Sequence, residues 1–182
     1  MILDRARSQL LVVDVQDRLL PAMFEGERMV DRCAVLMRAA QRLGIPVTIS
    51  EQYRKGLGAT ISRLDNIKGD AAVLEKMHFS CAADPAIKER VTGMIYTRPQ
   101  LVVCGIESHV CVMQSVLGFK AMGLDVYTVA DAVTSRASAS VDAALQRMRH
   151  EGASTVTTEM ALFEWLHVAG TPEFKELSKL IK

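Results

Sequence analysis

Short apolar runs alternate along the whole chain with stretches whose apolar residues recur every three or four positions. Gln9 to Val15 is a Leu- and Val-rich run that reads as a buried strand. From Glu27 to Leu43 the apolar stripe Val30, Cys33, Met37, Ala40 and Leu43 predicts a helix, closed by Gly44 with Pro46 just beyond. Val47 to Ser50 and Ala72 to Glu75 are the second and third strands. Asp84 to Val91 follows as a helix with Pro85 in its first turn. Leu101 to Gly105 is the fourth strand, and Ser108 to Met122 a helix ended by Gly123. Asp125 to Ala130 is the fifth strand, and Val141, Leu145 and Met148 mark the next helix. Ser154 to Thr157 is a short sixth strand, followed by two helices, the last opened by Thr171 and Pro172.

Strands separated by helices imply parallel βαβ units. The expected fold is therefore α/β, a three-layer sandwich with helices on both faces of one sheet. No repeat or linker divides the chain, so residues 1–182 read as a single domain. Sheets of this kind bind ligands outside the carboxyl ends of their strands. Polar residues collect at those ends: Asp14 after the first, Glu51, Gln52 and Tyr53 after the second, Lys76 after the third and Cys111 after the fourth.

Composition narrows the partners. Hydrophobic residues make up 49% and charged residues 24% of the 182, and the net charge of +1 comes without a one-sided basic stripe. Nucleic acid and membrane are thus not expected partners, and no apolar run is long enough to span a bilayer. The N-terminus has no signal-peptide pattern and the four cysteines show no disulfide or zinc spacing, so a cytoplasmic protein with reduced thiols is expected. The four histidines form no His-x-x-x-His pair. No metal or other cofactor is expected. Gly56-Leu-Gly58 lacks the full dinucleotide fingerprint.

Cys111 carries the most chemistry. With Ser108 as cap, it falls in the first turn of a helix, where free N–H groups and the helix dipole favour a thiolate. Asp14 breaks an apolar run, and Lys76 can supply its counter-charge. A carboxylate so held can take the Cys111 proton and return it, an Asp–Lys–Cys arrangement. Cys33 on a helix stripe and Cys104 in a strand read as core, and Cys81 as structural.

Val12-Val-Asp14-Val-Gln16, Glu75-Lys76-x-x-Phe79-Ser80 and Gly105-Ile-Glu-Ser-His-Val-Cys111-Val together resemble the isochorismatase-like cysteine hydrolases, over essentially the whole length. Glu51 to Thr60 and Phe174 to Lys182 look like a subgroup known as isochorismatase-domain proteins, of mostly unassigned substrate. The resemblance implies a Rossmann-like six-stranded parallel sheet in the order 3-2-1-4-5-6, with Asp14 beside Cys111 at the switch point. It implies a cis peptide at Ile106–Glu107 and an oxyanion hole from the N–H groups of Glu107 and Cys111. Gln16, Gln52, Tyr53, Phe79 and His109 are candidate substrate contacts, although Tyr53 and Phe79 fit the core equally well.

The resemblance implies attack by Cys111 on a small amide, with Asp14 moving protons and Lys76 holding Asp14. The family's metal-dependent nicotinamidase branch places histidines after the second strand, where this chain reads Ser50-Glu-Gln-Tyr-Arg-Lys. A metal-independent hydrolase of a small amide-type C–N bond is therefore expected, assembled as a homo-oligomer of two or four copies. The alternatives are a vinyl-ether hydrolase using Asp14 as general acid, and an inactive scaffold subunit.

Overall fold

A computed structural model describes residues 1–181. Its centre is one all-parallel sheet of six strands: β1 (Ser8–Val13), β2 (Val47–Gln52), β3 (Ala72–Lys76), β4 (Gln100–Ile106), β5 (Asp125–Thr134) and β6 (Ser154–Val156). They lie in the order β3-β2-β1-β4-β5-β6. The helices are α1 (Gly26–Arg42), the single turns α2 (Arg54–Leu57) and α3 (Ser62–Asp65), then α4 (Pro85–Thr92), α5 (Met113–Ala121), α6 (Ser138–His150), α7 (Thr158–Leu166) and α8 (Pro172–Leu177).

Both faces of the sheet are buried, which is why its central strands read as continuous apolar runs rather than alternating ones. Along β1, Leu10 and Val12 point into one core with Met29, Val30, Leu36 and Trp165. Leu11 and Val13 point into the other, with Ile87, Val116, Phe119 and Leu145. The first core thus lies under α1 and α7, the second under α4, α5 and α6. Trp165 is buried there rather than at a surface, and its Nε1 donates to Ser8 Oγ at 3.0 Å. Among the described residues no helix is long and apolar enough to cross a membrane.

Three local expectations need correction. β1 stops at Val13 rather than Val15, because Asp14 turns into the left-handed region with φ 52°. Aspartate tolerates that conformation better than most residues. β5 runs on to Thr134 instead of ending at Ala130. Its register against β4 slips, so that Val103 faces Thr128 while Gly105 faces Val133. Asp131, within the extended part of the strand, accepts hydrogen bonds from Thr158 N–H (2.7 Å) and Thr158 Oγ1 (3.0 Å). Finally, Ser108 does not cap a helix. Ser108–Val112 forms a π-helical turn leading into α5, without a side-chain cap, and Ser108 Oγ is buried with no hydrogen-bond partner.

The switch point lies between β1 and β4, whose connections leave in opposite directions. Their backbones approach closely there. A Cβ on Gly105 (φ 112°) would collide with the Val13 carbonyl, so glycine is required on both counts.

Candidate active site

β1 and β3 do not touch, yet β2 between them brings their ends within reach of each other. Asp14 N–H donates to the Ser50 carbonyl at 3.1 Å, continuing the β1–β2 ladder by one residue. Gln52 is paired in register with Lys76. The Asp14 carboxylate accepts from Lys76 Nζ on Oδ2 at 2.6 Å and from Ser50 Oγ on Oδ1 at 2.7 Å. Neither the Asp14 nor the Lys76 side chain is exposed to solvent. Lys76 Nζ also donates to Gln52 Oε1 at 2.7 Å. Burial works to lower the Lys76 pKa, but the charge and hydrogen bond of Asp14 outweigh it, and the ammonium is held above its ordinary value.

Two sequence-predicted substrate contacts prove to be framework. Gln16 is fully buried, and its Nε2 donates to the carbonyls of Gln52 (3.0 Å) and Gly58 (2.6 Å). Its Oε1 accepts from Gln52 N–H at 2.7 Å. Gln52 spends its own amide on Lys76 and on the Met77 carbonyl (2.9 Å). Both are occupied because a buried amide must satisfy its donors and acceptors inside the protein. Tyr53 and Phe79 are exposed at the same rim, 44% and 57%, and are not core. His109 is half-buried, with Nδ1 2.9 Å from Ser135 Oγ.

Cys111 sits in the π-helical turn after β4, all but buried at 7% exposure. The preceding peptide bond Ile106–Glu107 is cis. Ser115 Oγ donates to the Cys111 carbonyl at 2.6 Å and accepts from Cys81 N–H at 2.8 Å, tying this turn to the loop after β3. The Glu107 side chain is pinned by Arg136, whose Nη2 donates to Oε1 at 3.2 Å. Oε2 lies 3.1 Å from Arg136 Nε but off the direction of its N–H, and so lacks a hydrogen bond.

The thiol itself departs from expectation. Burial, and then the neighbouring Asp14 charge, push the Cys111 thiol well above the ordinary range, although Lys76 pulls the other way. The direction of the shift runs against the thiolate that a helix terminus would favour. Cys81 is likewise buried, its thiol raised to about 11 by burial and by Asp14. Its Sγ lies 3.5 Å from Ser50 Oγ.

Ser50, Ser115 and the inward role of Gln52 escaped the sequence reading. Ser50 carried a usable signal, since it is a polar residue ending an apolar strand, as Asp14 does one strand away. Ser115 carried none, because a serine inside a helix is unremarkable until its neighbours are known. Among the described residues no three His, Cys, Asp or Glu side chains converge as metal ligands.

A family model described as the isochorismatase domain matches residues 8–160. The secreted isochorismatase effector Isc1 of Phytophthora sojae is 38% identical over 178 residues, covering 96% of this chain and 84% of that protein. A solved structure described as the MAR1 ribonuclease from Caenorhabditis elegans superposes with a TM-score of 0.92 at 30% identity, covering 100% of this chain and 92% of that one. The YcaC gene product of Escherichia coli, described as an octameric hydrolase of unknown specificity, shares the fold with a TM-score of 0.92 at 21% identity, over 99% and 90% of the two chains.

Proposed function

This chain belongs to the isochorismatase family of hydrolases, and on that footing we propose that it cleaves a small amide-type C–N bond through a thioester on Cys111, without a metal. The observation that carries this reading is the solvent-free Asp14–Lys76 pair beside the Cys111 thiol. A buried ion pair is a poor stabilising device. Next to a nucleophile it places a carboxylate to accept a proton out of reach of water.

The thiol proton passes to Asp14 as Sγ attacks the amide carbonyl, so no standing thiolate is needed. The N–H groups of Glu107 and Cys111 stabilise the oxyanion, an interaction whose loss costs on the order of 100-fold or more in such enzymes. Asp14 then protonates the departing ammonia or amine. In the second half, Asp14 takes a proton from water, the hydroxide opens the thioester, and Sγ recovers its proton from Asp14. Lys76 keeps the carboxylate in place throughout. His109, Tyr53 and Phe79 remain as substrate-wall candidates, while Gln16 and Gln52 act behind the reacting groups.

Ammonia release from a panel of small primary amides and carbamates tests the reading. Activity is expected with at least one, and none in Cys111→Ala. A vinyl ether cleaved equally well by both proteins would instead favour Asp14 as general acid. If neither class reacts, the scaffold alternative stands. RNA belongs in the same panel because of the Caenorhabditis protein's description; with a net charge of +1, no cleavage is expected. Exposed Tyr53, Met77 and Phe79 at one rim support a homo-oligomer of two or four copies, which light scattering would read directly. The four free cysteines fit a reducing, cytoplasmic setting.

A further inference from the structure

Ser50 makes two bonds to one residue. Its carbonyl accepts from Asp14 N–H at 3.1 Å and its hydroxyl donates to Asp14 Oδ1 at 2.7 Å. Behind it, the Cys81 thiol lies 3.5 Å from the same hydroxyl oxygen. All three side chains are fully buried. We propose that Ser50 is a positioning residue for the acyl-transfer chemistry, the reversible hydrogen-bond partner that lets Asp14 take and return a proton out of reach of solvent. The inference rests on the reading of Asp14 as the proton carrier.

The two oxygens of Asp14 are not equivalent. Oδ2 faces the Lys76 ammonium, which can only donate. Oδ1 faces a neutral hydroxyl, which can donate or accept. A proton arriving from Cys111 Sγ is therefore held at lower cost on Oδ1. The S–H bond breaks and an O–H bond forms on Oδ1. The Ser50 hydroxyl then turns from donor to acceptor, its own hydrogen swings toward the sulfur of Cys81, and the Cys81 S–H gives up its donation to Ser50 Oγ so that the sulfur accepts instead. When Asp14 gives the proton up, to the leaving nitrogen or back to sulfur, the hydroxyl turns again. Neither state leaves a buried nitrogen or oxygen unpaired, since Oδ2 goes on accepting from Lys76 while Oδ1 changes from acceptor to donor.

The test follows Cys111 itself, so it does not depend on knowing the substrate. The rate of Cys111 alkylation by iodoacetamide is measured by peptide mass between about pH 4 and 9, the range over which carboxylates and thiols exchange protons. The charged and titratable groups facing the reaction are Asp14, Lys76, Cys81 and Cys111. In the wild type, alkylation falls on the acid side, where Asp14 can no longer accept the thiol proton. Ser50→Ala removes a donor to the ionised carboxylate, so this fall begins about one pH unit higher. Ser50→Thr, which keeps the hydroxyl, restores the wild-type profile, and Ser50→Gly substitutes for the alanine variant if that one misfolds. With any amide the enzyme accepts, Ser50→Ala lowers kcat about tenfold or more and leaves KM nearly unchanged. An alanine variant with the wild-type acid limb overturns the proposal, as does a well-folded threonine variant that behaves like alanine. Failure of every amide to react would strike the acyl-transfer reading while leaving the alkylation result to judge Ser50.

Discussion

Cys33 and Cys111 are both buried, and in both the thiol is pushed up from its ordinary value, yet only one sits in a reactive setting. Cys33 is raised first by the neighbouring Cys104 thiol and then by burial. Its sulfur lies 3.4 Å from Met29 Sδ and 3.5 Å from the Ala132 carbonyl, inside the core under α1. Cys111 is raised by burial and then by a carboxylate, and that carboxylate is itself tied to an ammonium. The same direction of shift therefore has opposite meanings. In the core it records an inert thiol. At the rim, in the proposed mechanism, the proton has a carboxylate to go to. A low thiol pKa is one route to a nucleophile, and a base within reach is another.

The contrast is broken most severely at the sulfurs themselves. Cys111→Ala is expected to lower amide hydrolysis by about ten-thousandfold or more, with the melting temperature nearly unchanged. Cys33→Ala should do the reverse, leaving turnover intact and costing about 1 kcal/mol by denaturant titration. Next in size is Lys76→Met, which strands a buried carboxylate. A loss of about 3–5 kcal/mol of stability is expected, read from the shift of the urea midpoint. If the variant is as stable as the parent, the pair is not the electrostatic unit described here.

Asp14→Asn sharpens the comparison because one substitution removes both functions assigned to the carboxylate. Hydrolysis should be lost, since asparagine cannot carry the proton. Alkylation of Cys111 near pH 8 should also slow, by about tenfold or more, because the thiol loses the acceptor for its proton. Alkylation as fast as in the wild type would mean that Asp14 does not take the thiol proton.

The smallest effect is on stability at alkaline pH. Unfolded thiols titrate near about 8.5. In the folded chain Cys33, Cys81 and Cys111 all hold their protons to higher pH, Cys81 to about 11. Above the unfolded value the native state binds more protons than the unfolded one, so stability is fully present below it and falls as pH rises. Lys76, also raised, adds a loss of the same sign at still higher pH. Melting temperatures should hold to about pH 8 and decline beyond about pH 9, with Cys81→Ala removing part of the early decline. A flat profile through that window would show that the thiols are not held as described.

Element order and type could be read from periodicity alone, because the backbone's two regular solutions impose periods that do not depend on distant residues. The apolar runs of β1 and β4, the stripe of α1 and the Pro85 and Pro172 helix starts are of this kind. So was the placing of Asp14, Lys76 and Cys111 near strand ends, since a polar residue closing an apolar run is visible locally. What the tertiary structure alone decided is partnership. Whether Gln52 faces a substrate or Lys76, and whether Ser50 is a strand end or the second hand on Asp14, depends on which strand lies alongside and in what register. The same holds for Cys111, whose thiol is raised by burial and by Asp14 just beyond β1, neighbours that arrive only when the sheet assembles. Local pattern follows from short-range sterics and burial, while hydrogen-bond partners and buried charges are properties of residues tens of positions apart, and no spacing along the chain encodes them.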